Sequence, residues 1–372
     1  MVPLTLFTLL LSVLPYYVLA TPLTASNRLD RRGGLVPTVS STAVPLSPSG
    51  GGTYPRLTTV DGNILAAYTY TSGADHILEI SRSTDGGVSF QALGSVAESP
   101  AATTDLDNPV LVELSNGNVL CAFRNHDKTG TTYNYYRITV SVSTDGGATW
   151  SFLSQANERA ATTTKNGLWE PFMRISESDA LQIYYASENS DDDQDILMQT
   201  STDNGATWST PATVSGATTT GRDGMPGVAE FSVDGANHLV CVFETTEGTG
   251  TFTVKSVYSS DDGATWNTRT QVYIPTGTSN NAGAPQVVTK MDGDLVVSFM
   301  TDEDTSAHTW TSGADFKILT SAPSVPLSWG QKTTVTGVQS NWPGLYAIPA
   351  GGVLGCTDFN GAVCHRIDFS DA

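Results

Sequence analysis

Four ionisable side chains stand at matching points of repeated segments in this 372-residue chain. Glu170 opens one apolar segment, in LWEPFM. Glu244 and Asp358 close two others, in CVFE and GCTD, and Arg124 closes a further one, in CAFR. Carboxyl groups that share a pocket push one another's pKa values apart. One then keeps its proton while the other stays ionised, the pairing that glycoside hydrolysis requires. Trp169, Trp342, Tyr54 and Tyr346 are expected to lie beside these charges in the fold, and sugars stack their C–H faces on such rings.

The elements that position them are read from internal repeats. A proline opens an apolar strand, a turn follows, and a second apolar strand returns. The copies begin YPRLTTVDGNILAAYT at Tyr54, NPVLVELSNGNVLCAFR at Asn108 and EPFMRISESDALQIYYA at Glu170. Three more begin at Met225, Ala284 and Trp342. DG, NG and GG pairs mark hairpin turns. Six units of short strands predict an all-β, six-bladed β-propeller; a sandwich or solenoid is the alternative. In a propeller the innermost strands face the axis. Two sets of residues should therefore ring one mouth of the channel. The first is Tyr54, Asn108, Glu170, Met225, Ala284 and Trp342. The second is Thr69, Arg124, Ala186, Glu244, Met300 and Asp358. These residues differ in every blade, which favours one central site over a site in each blade.

A second repeat, Ser-x-Asp-x-Gly-x-Thr/Ser-aromatic, recurs as STDGGVSF, STDGGATW, STDNGATW and SSDDGATW. Its aspartates are Asp85, Asp145, Asp203 and Asp261. The chemistry is structural: Asp accepts hydrogen bonds within the turn and Gly takes a positive φ. The fifth unit lacks the motif. The sixth runs out of chain, so residues Leu35–Val44 should supply its outer strand and close the ring. His126 and His308 are isolated and read as loop or rim residues.

The net charge is −19, from 18 basic and 37 acidic residues. A surface this acidic repels phosphate backbones and anionic lipids, so neither nucleic acid nor membrane is an expected partner. A neutral substrate fits best. Residues 4–19 form an uncharged apolar run ending at Val18-Leu19-Ala20, which reads as a secretory signal peptide over 1–20. Residues 21–32 read as a propeptide or linker ending at Arg31-Arg32, and 33–372 as the catalytic propeller. Secretion to the extracellular space is the expectation. Of four cysteines, Cys121, Cys241 and Cys356 fall in equivalent strands, which argues for buried thiols. Cys356 with Cys364 is the only sequence-close pair. No spacing suggests a metal site, and no cofactor is expected. A closed ring needs no partner, so a monomer is expected.

The repeated Asp-box turns and the Glu170-Pro171 start of the third unit resemble the sialidase superfamily. Sialidases clamp their acidic sugar with three arginines; here Arg56 alone matches, and none stands near Ser187. Over roughly residues 35–372 the chain is more similar to glycoside hydrolase family 93, the secreted fungal exo-1,5-α-L-arabinanases. The LWEPFM and CVFE segments carry that resemblance. It implies a sialidase-like propeller that releases arabinobiose from the non-reducing end of linear arabinan, a neutral polysaccharide, with retention of configuration. The catalytic carboxylates then match Glu170 and Glu244. Glu170 is read as the nucleophile and Glu244, preceded by apolar Val242 and Phe243, as the acid/base; the reverse order stays open. Tyr54, Arg56, Asn108, Arg124, Trp169, Trp342, Tyr346 and Asp358 form the candidate binding set. Two rivals stand beside this reading: a glycosidase of the same fold acting on another neutral sugar, and a carbohydrate-binding propeller without catalysis.

Overall fold

The computed structural model of the chain describes residues 35–248 and 250–371. The expected signal peptide and propeptide lie outside the described residues. All regular structure in the described residues is strand. Twenty-four strands form six four-stranded antiparallel sheets. Each sheet is a blade whose first strand is innermost. Those inner strands are Thr53–Val60, Thr104–Glu113, Leu168–Ile175, Gly224–Val233, Ala282–Thr289 and Asn341–Ala347. Each touches the next around a closed ring, and the sixth touches the first.

The sixth blade is completed from the other end of the chain. Val36–Pro45 pairs antiparallel with Ala362–Ser370, as the short final unit predicts. A disulfide, Cys356–Cys364, joins two directly paired residues of the same blade. Cys356 is thus not the buried free thiol that its strand position suggested. Cys121 and Cys241 are free and buried in blade interfaces.

The core is one apolar layer between each pair of neighbouring blades. Leu65, Ile80, Leu111 and Phe123 fill the first layer; Tyr184, Ile196, Cys241 and Phe243 fill a later one. The middle strands therefore read as nearly continuous apolar runs, because both of their faces are covered.

The four aspartate turns fold alike. Asp85 accepts the Ser89 N–H at 3.0 Å and the Ser89 hydroxyl at 2.6 Å. Asp145, Asp203 and Asp261 do the same with Thr149, Thr207 and Thr265. In each turn a glycine presses on the preceding blade. A Cβ on Gly147 would stand 2.6 Å from Leu65 Cδ2, and one on Gly87 2.7 Å from Leu354 Cδ1. Each turn thus braces one blade against the last.

One irregularity is shared by all six inner strands. The residue before each proline has positive φ: Tyr54 54°, Asn108 56°, Glu170 40°, Met225 52°, Ala284 50° and Trp342 54°. At each of these points the pairing register slips. Thr53 pairs with Thr69, but Arg56 pairs with Ala67, leaving Tyr54 and Pro55 opposite Tyr68 alone. The same slip occurs in the other five blades. This is a β-bulge, and proline suits it because no ladder donor is needed there. A non-glycine residue at positive φ costs about 1–3 kcal/mol, a strain that bulges use to re-aim a side chain.

Candidate active site

Glu170 is aimed by its bulge. The approach to its strand is fixed by Glu188, whose carboxylate accepts the Gly167 N–H at 2.8 Å, and by Arg159, which donates to the Gly167 carbonyl at 2.7 Å. Glu244 comes from the second strand of the next blade, where Gly224 is its partner across the ladder. The two carboxyls line one pocket of about 240 Å³ with Arg124, Trp169, Gln194, Arg222 and Phe252.

Close backbone approach on both sides confines Glu244. Its Oε2 accepts the Ala284 N–H at 2.7 Å. A Cβ on Gly283 would stand 2.3 Å from that oxygen, and one on Gly224 would stand 3.3 Å from Oε1. A side chain at 283 would displace the carboxyl, and one at 224 would press first on Gln194 Nε2, at 2.9 Å. No described residue donates a hydrogen bond to the Glu170 carboxyl.

The electrostatics fit a shared proton. Burial pushes Glu170 up to about 8, with the charge of Glu244 adding to the rise while Arg124 and Arg222 oppose it. Burial pushes Glu244 up to about 7, opposed by the Ala284 N–H and then Arg222. Two such groups titrate as a pair, and near neutrality the pair holds one proton.

The arginines are themselves fixed. Arg124 donates to Asp105 and Asp107, each at 3.1 Å, and lies over the Trp169 ring at 5.3 Å. Tyr133 donates to the second Asp105 oxygen at 2.6 Å. Arg222 donates to Glu188 at 2.8 Å and to Gln194 Oε1 at 3.0 Å. Trp169 is propped by His126, which is fully buried and not the rim residue its isolation suggested. The Arg137 N–H donates to His126 Nδ1, so Nε2 carries the hydrogen that it donates to the Leu168 carbonyl at 2.7 Å. Burial holds this ring down at about 3, so it is neutral.

The sequence-predicted residues divide into two groups. Glu170, Glu244, Arg124 and Trp169 meet in the pocket. Tyr54 and Trp342 pack beside each other at 6.4 Å on the axis, in an apolar cluster with Met225, Ala284 and Met300. Asn108 is buried next to Asp107, whose carboxylate accepts its N–H at 2.8 Å. Three other expected binding residues stand outside the pocket lining. Arg56 is buried under the Tyr54 ring and donates through Nη1 to the Pro55 and Trp342 carbonyls, while its Nη2 is buried without a partner. Tyr346 shares a hydrogen bond of 2.7 Å with Thr59 in the layer between the sixth and first blades, away from the carboxyl pair. Asp358 reaches its strand end but turns its carboxyl to the Gly361 N–H.

Sequence reasoning missed Arg222, Gln194, Phe252 and the glycines at 224 and 283. Arg222 and Phe252 stand in loops and Gln194 at the very start of a third strand, where the sequence shows no repeat signal. The glycines do: Gly-x-Pro opens only the fourth and fifth units.

Comparison with known proteins agrees with this architecture. Residues 179–341 match the family model described as a BNR repeat-like domain. No curated protein sequence matches the chain. Among solved structures, the chain is similar to the α-L-arabinanase of Penicillium chrysogenum, complexed with arabinobiose, at 20% identity and a TM-score of 0.66. That match covers 89% of this chain and 98% of the other. The GH93 α-L-arabinofuranosidase of Fusarium graminearum, also with arabinobiose, matches at 20% identity and a TM-score of 0.66, over 91% and 98% of the two chains. NanB sialidase of Streptococcus pneumoniae matches at 10% identity and a TM-score of 0.57, over 87% and 68%. The fold is the six-bladed, sialidase-like propeller.

Proposed function

We propose that the chain is a retaining exo-1,5-α-L-arabinanase that releases arabinobiose from the non-reducing end of linear arabinan. The observation that carries this reading is the pair Glu170 and Glu244 in one pocket, both raised toward neutrality by burial. The similarity to two arabinose-directed enzymes supports the choice of sugar. A net charge of −19 supports a neutral substrate over an acidic one.

The proposed chemistry is a double displacement. Glu170 attacks the anomeric carbon as the bond to the leaving oxygen breaks, and Glu244 gives that oxygen its proton. Glu244 then takes a proton from water, which attacks the same carbon and frees Glu170. Two guanidinium groups, Arg124 and Arg222, favour a charge on Glu170, whereas Arg222 alone acts on Glu244. In the free pocket, with Glu170 at about 8 and Glu244 at about 7, the shared proton sits on Glu170, so the proposed roles require it to pass to Glu244 when the sugar binds. The Cys356–Cys364 disulfide supports a secreted, oxidising location.

Chromatography of early products from linear 1,5-arabinan tests the function. Arabinobiose alone is the expected result. Sustained absence of any product, with a different neutral glycan cleaved instead, would overturn the choice of sugar and leave the glycosidase. Azide added to alanine variants tests the roles. Glu170→Ala should yield a glycosyl azide of inverted configuration, and Glu244→Ala one of retained configuration. The opposite pattern exchanges the two roles.

A further inference from the structure

Two aromatic side chains stand where neither the repeat nor the carboxyl pair calls for them. Phe252 lines the pocket and stacks on Trp310, with ring centroids 6.0 Å apart and planes 30° apart. Phe252 belongs to the loop after the second strand of the fourth blade. Trp310 belongs to the corresponding, longer loop of the fifth blade. Trp310 also crowds Gly283: a Cβ there would stand 3.1 Å from its Cζ2, beside the Glu244 carboxyl on the other side. Both rings are only partly buried, so apolar surface is left open next to the reacting pair.

One residue ties the two loops together. Asn281 Oδ1 accepts the Phe252 N–H at 2.9 Å. The Asn281 N–H donates to Asp302 Oδ1 at 2.7 Å, and the Asn281 carbonyl accepts the Asp302 N–H at 3.3 Å. Asp302 is fully buried at the base of the Trp310 loop. That loop is closed internally by the Gly313 N–H, which donates to the Thr309 carbonyl at 2.7 Å. The rings are thus pre-placed rather than left to fold over a ligand.

We infer that Phe252 and Trp310 form an aromatic end wall on the Glu244 side of the pocket, that this wall sets how many sugar units are released per cleavage, and that Asn281 is the positioning residue that holds it. The inference rests on the proposed arabinanase function. A rigid face of two rings offers a sugar its C–H stacking surface and blocks the passage of further units. A pocket closed in this way accepts a chain end and measures a fixed length from it. Without the wall, the same carboxyl pair faces an open groove.

The experiment compares wild type with Phe252→Ala, Trp310→Ala, Asn281→Ala and Asn281→Asp. Each is given end-labelled linear arabino-oligosaccharides and, separately, a chromogenic aryl α-L-arabinofuranoside. The expected result is loss of the disaccharide as the dominant early product in the two aromatic variants and in Asn281→Ala. Asn281→Asp keeps the acceptor oxygen and should restore the wild-type products. Because Phe252 also lines the pocket, turnover of the chromogenic substrate is the reference and should fall less than release of the disaccharide in each of these variants. Unchanged products in the aromatic variants would overturn the wall, as would a parallel fall on both substrates. Wild-type protein that cleaves neither substrate would overturn the arabinanase reading and this inference with it.

Discussion

Each of the two glutamates is held by a different means, and the difference predicts different sensitivities. Glu170 is aimed by backbone strain and accepts no bond from a described residue; Glu244 is wedged between two glycines and bonded by Ala284. Gly283→Ala should therefore push Glu244 off its N–H and lower kcat while leaving the thermal midpoint nearly unchanged, which steady-state kinetics beside calorimetry will check. Glu244→Gln should lower kcat by about 10²–10⁴-fold, the range for loss of a general acid–base group. Activity should follow a bell in pH whose limbs lie near 7 and 8, since below both values the pair is doubly protonated and above both it is doubly ionised. The same shift bears on stability. Glu170 binds its proton more tightly when folded than when unfolded, so this group's contribution falls as pH rises from its ordinary 4.5 to about 8. Glu170→Gln should raise the melting temperature at pH 8.5 and leave it nearly unchanged at pH 4. Equal midpoints at pH 8.5 would show that the site holds no such strain. Both glutamates were legible in the sequence because the repeat fixes equivalent strand ends, before the proline for Glu170 and at the close of the second strand for Glu244. Tyr346 was misplaced because the bulge interrupts the strand's alternation, so four residues on from Trp342 is no longer the same environment. Arg222, Phe252 and Trp310 were invisible because loops carry no period.

At the scale of elements, the turn and the bulge divide the labour of a blade. The bulge faces the axis and aims its side chain, Glu170 among them, toward the channel; the aspartate turn presses on the neighbouring blade. The residue opposite each bulge makes the point: Tyr68, Phe123, Tyr185, Phe243 and Phe299 are all buried rings, and only the sixth blade has Thr357. A large flat side chain fills the space that the extra residue opens. The turns allow a sharp comparison. Gly146 and Gly147 both have positive φ, but a Cβ on Gly146 meets nothing within 4 Å, whereas one on Gly147 meets Leu65. Gly146→Ala should cost about 1 kcal/mol through backbone strain alone. Gly147→Ala should cost about 1–3 kcal/mol more through overpacking. Urea unfolding of the two variants separates the terms, and equal midpoints would remove the brace from the account of blade packing. This element was the most legible in the chain, because its hydrogen bonds are local and its residue types follow from them. Its contact with the preceding blade was not, since nothing in eight residues names the partner.

At the scale of the whole molecule, the ring is held at one seam by unlike devices: a borrowed strand, Val36–Pro45, and the Cys356–Cys364 bond. Reduction of that bond should lower stability by about 2 kcal/mol, less than a long loop would give because only a short one is closed. Calorimetry with and without a thiol-free reductant will measure it, and an unchanged midpoint would mean that strand pairing alone seals the blade. The seam also orders events in time. Val36 pairs with Ser370, and nearly the whole ring is made between them. At ribosomal rates of about 5–20 residues per second, the borrowed strand waits on the order of tens of seconds for its partner. For that interval it is an unpaired edge with nothing native to bind, and the sixth blade cannot be finished before it is joined. The same pairing that gives the finished ring its closure makes the first of the described strands to emerge the one that docks last.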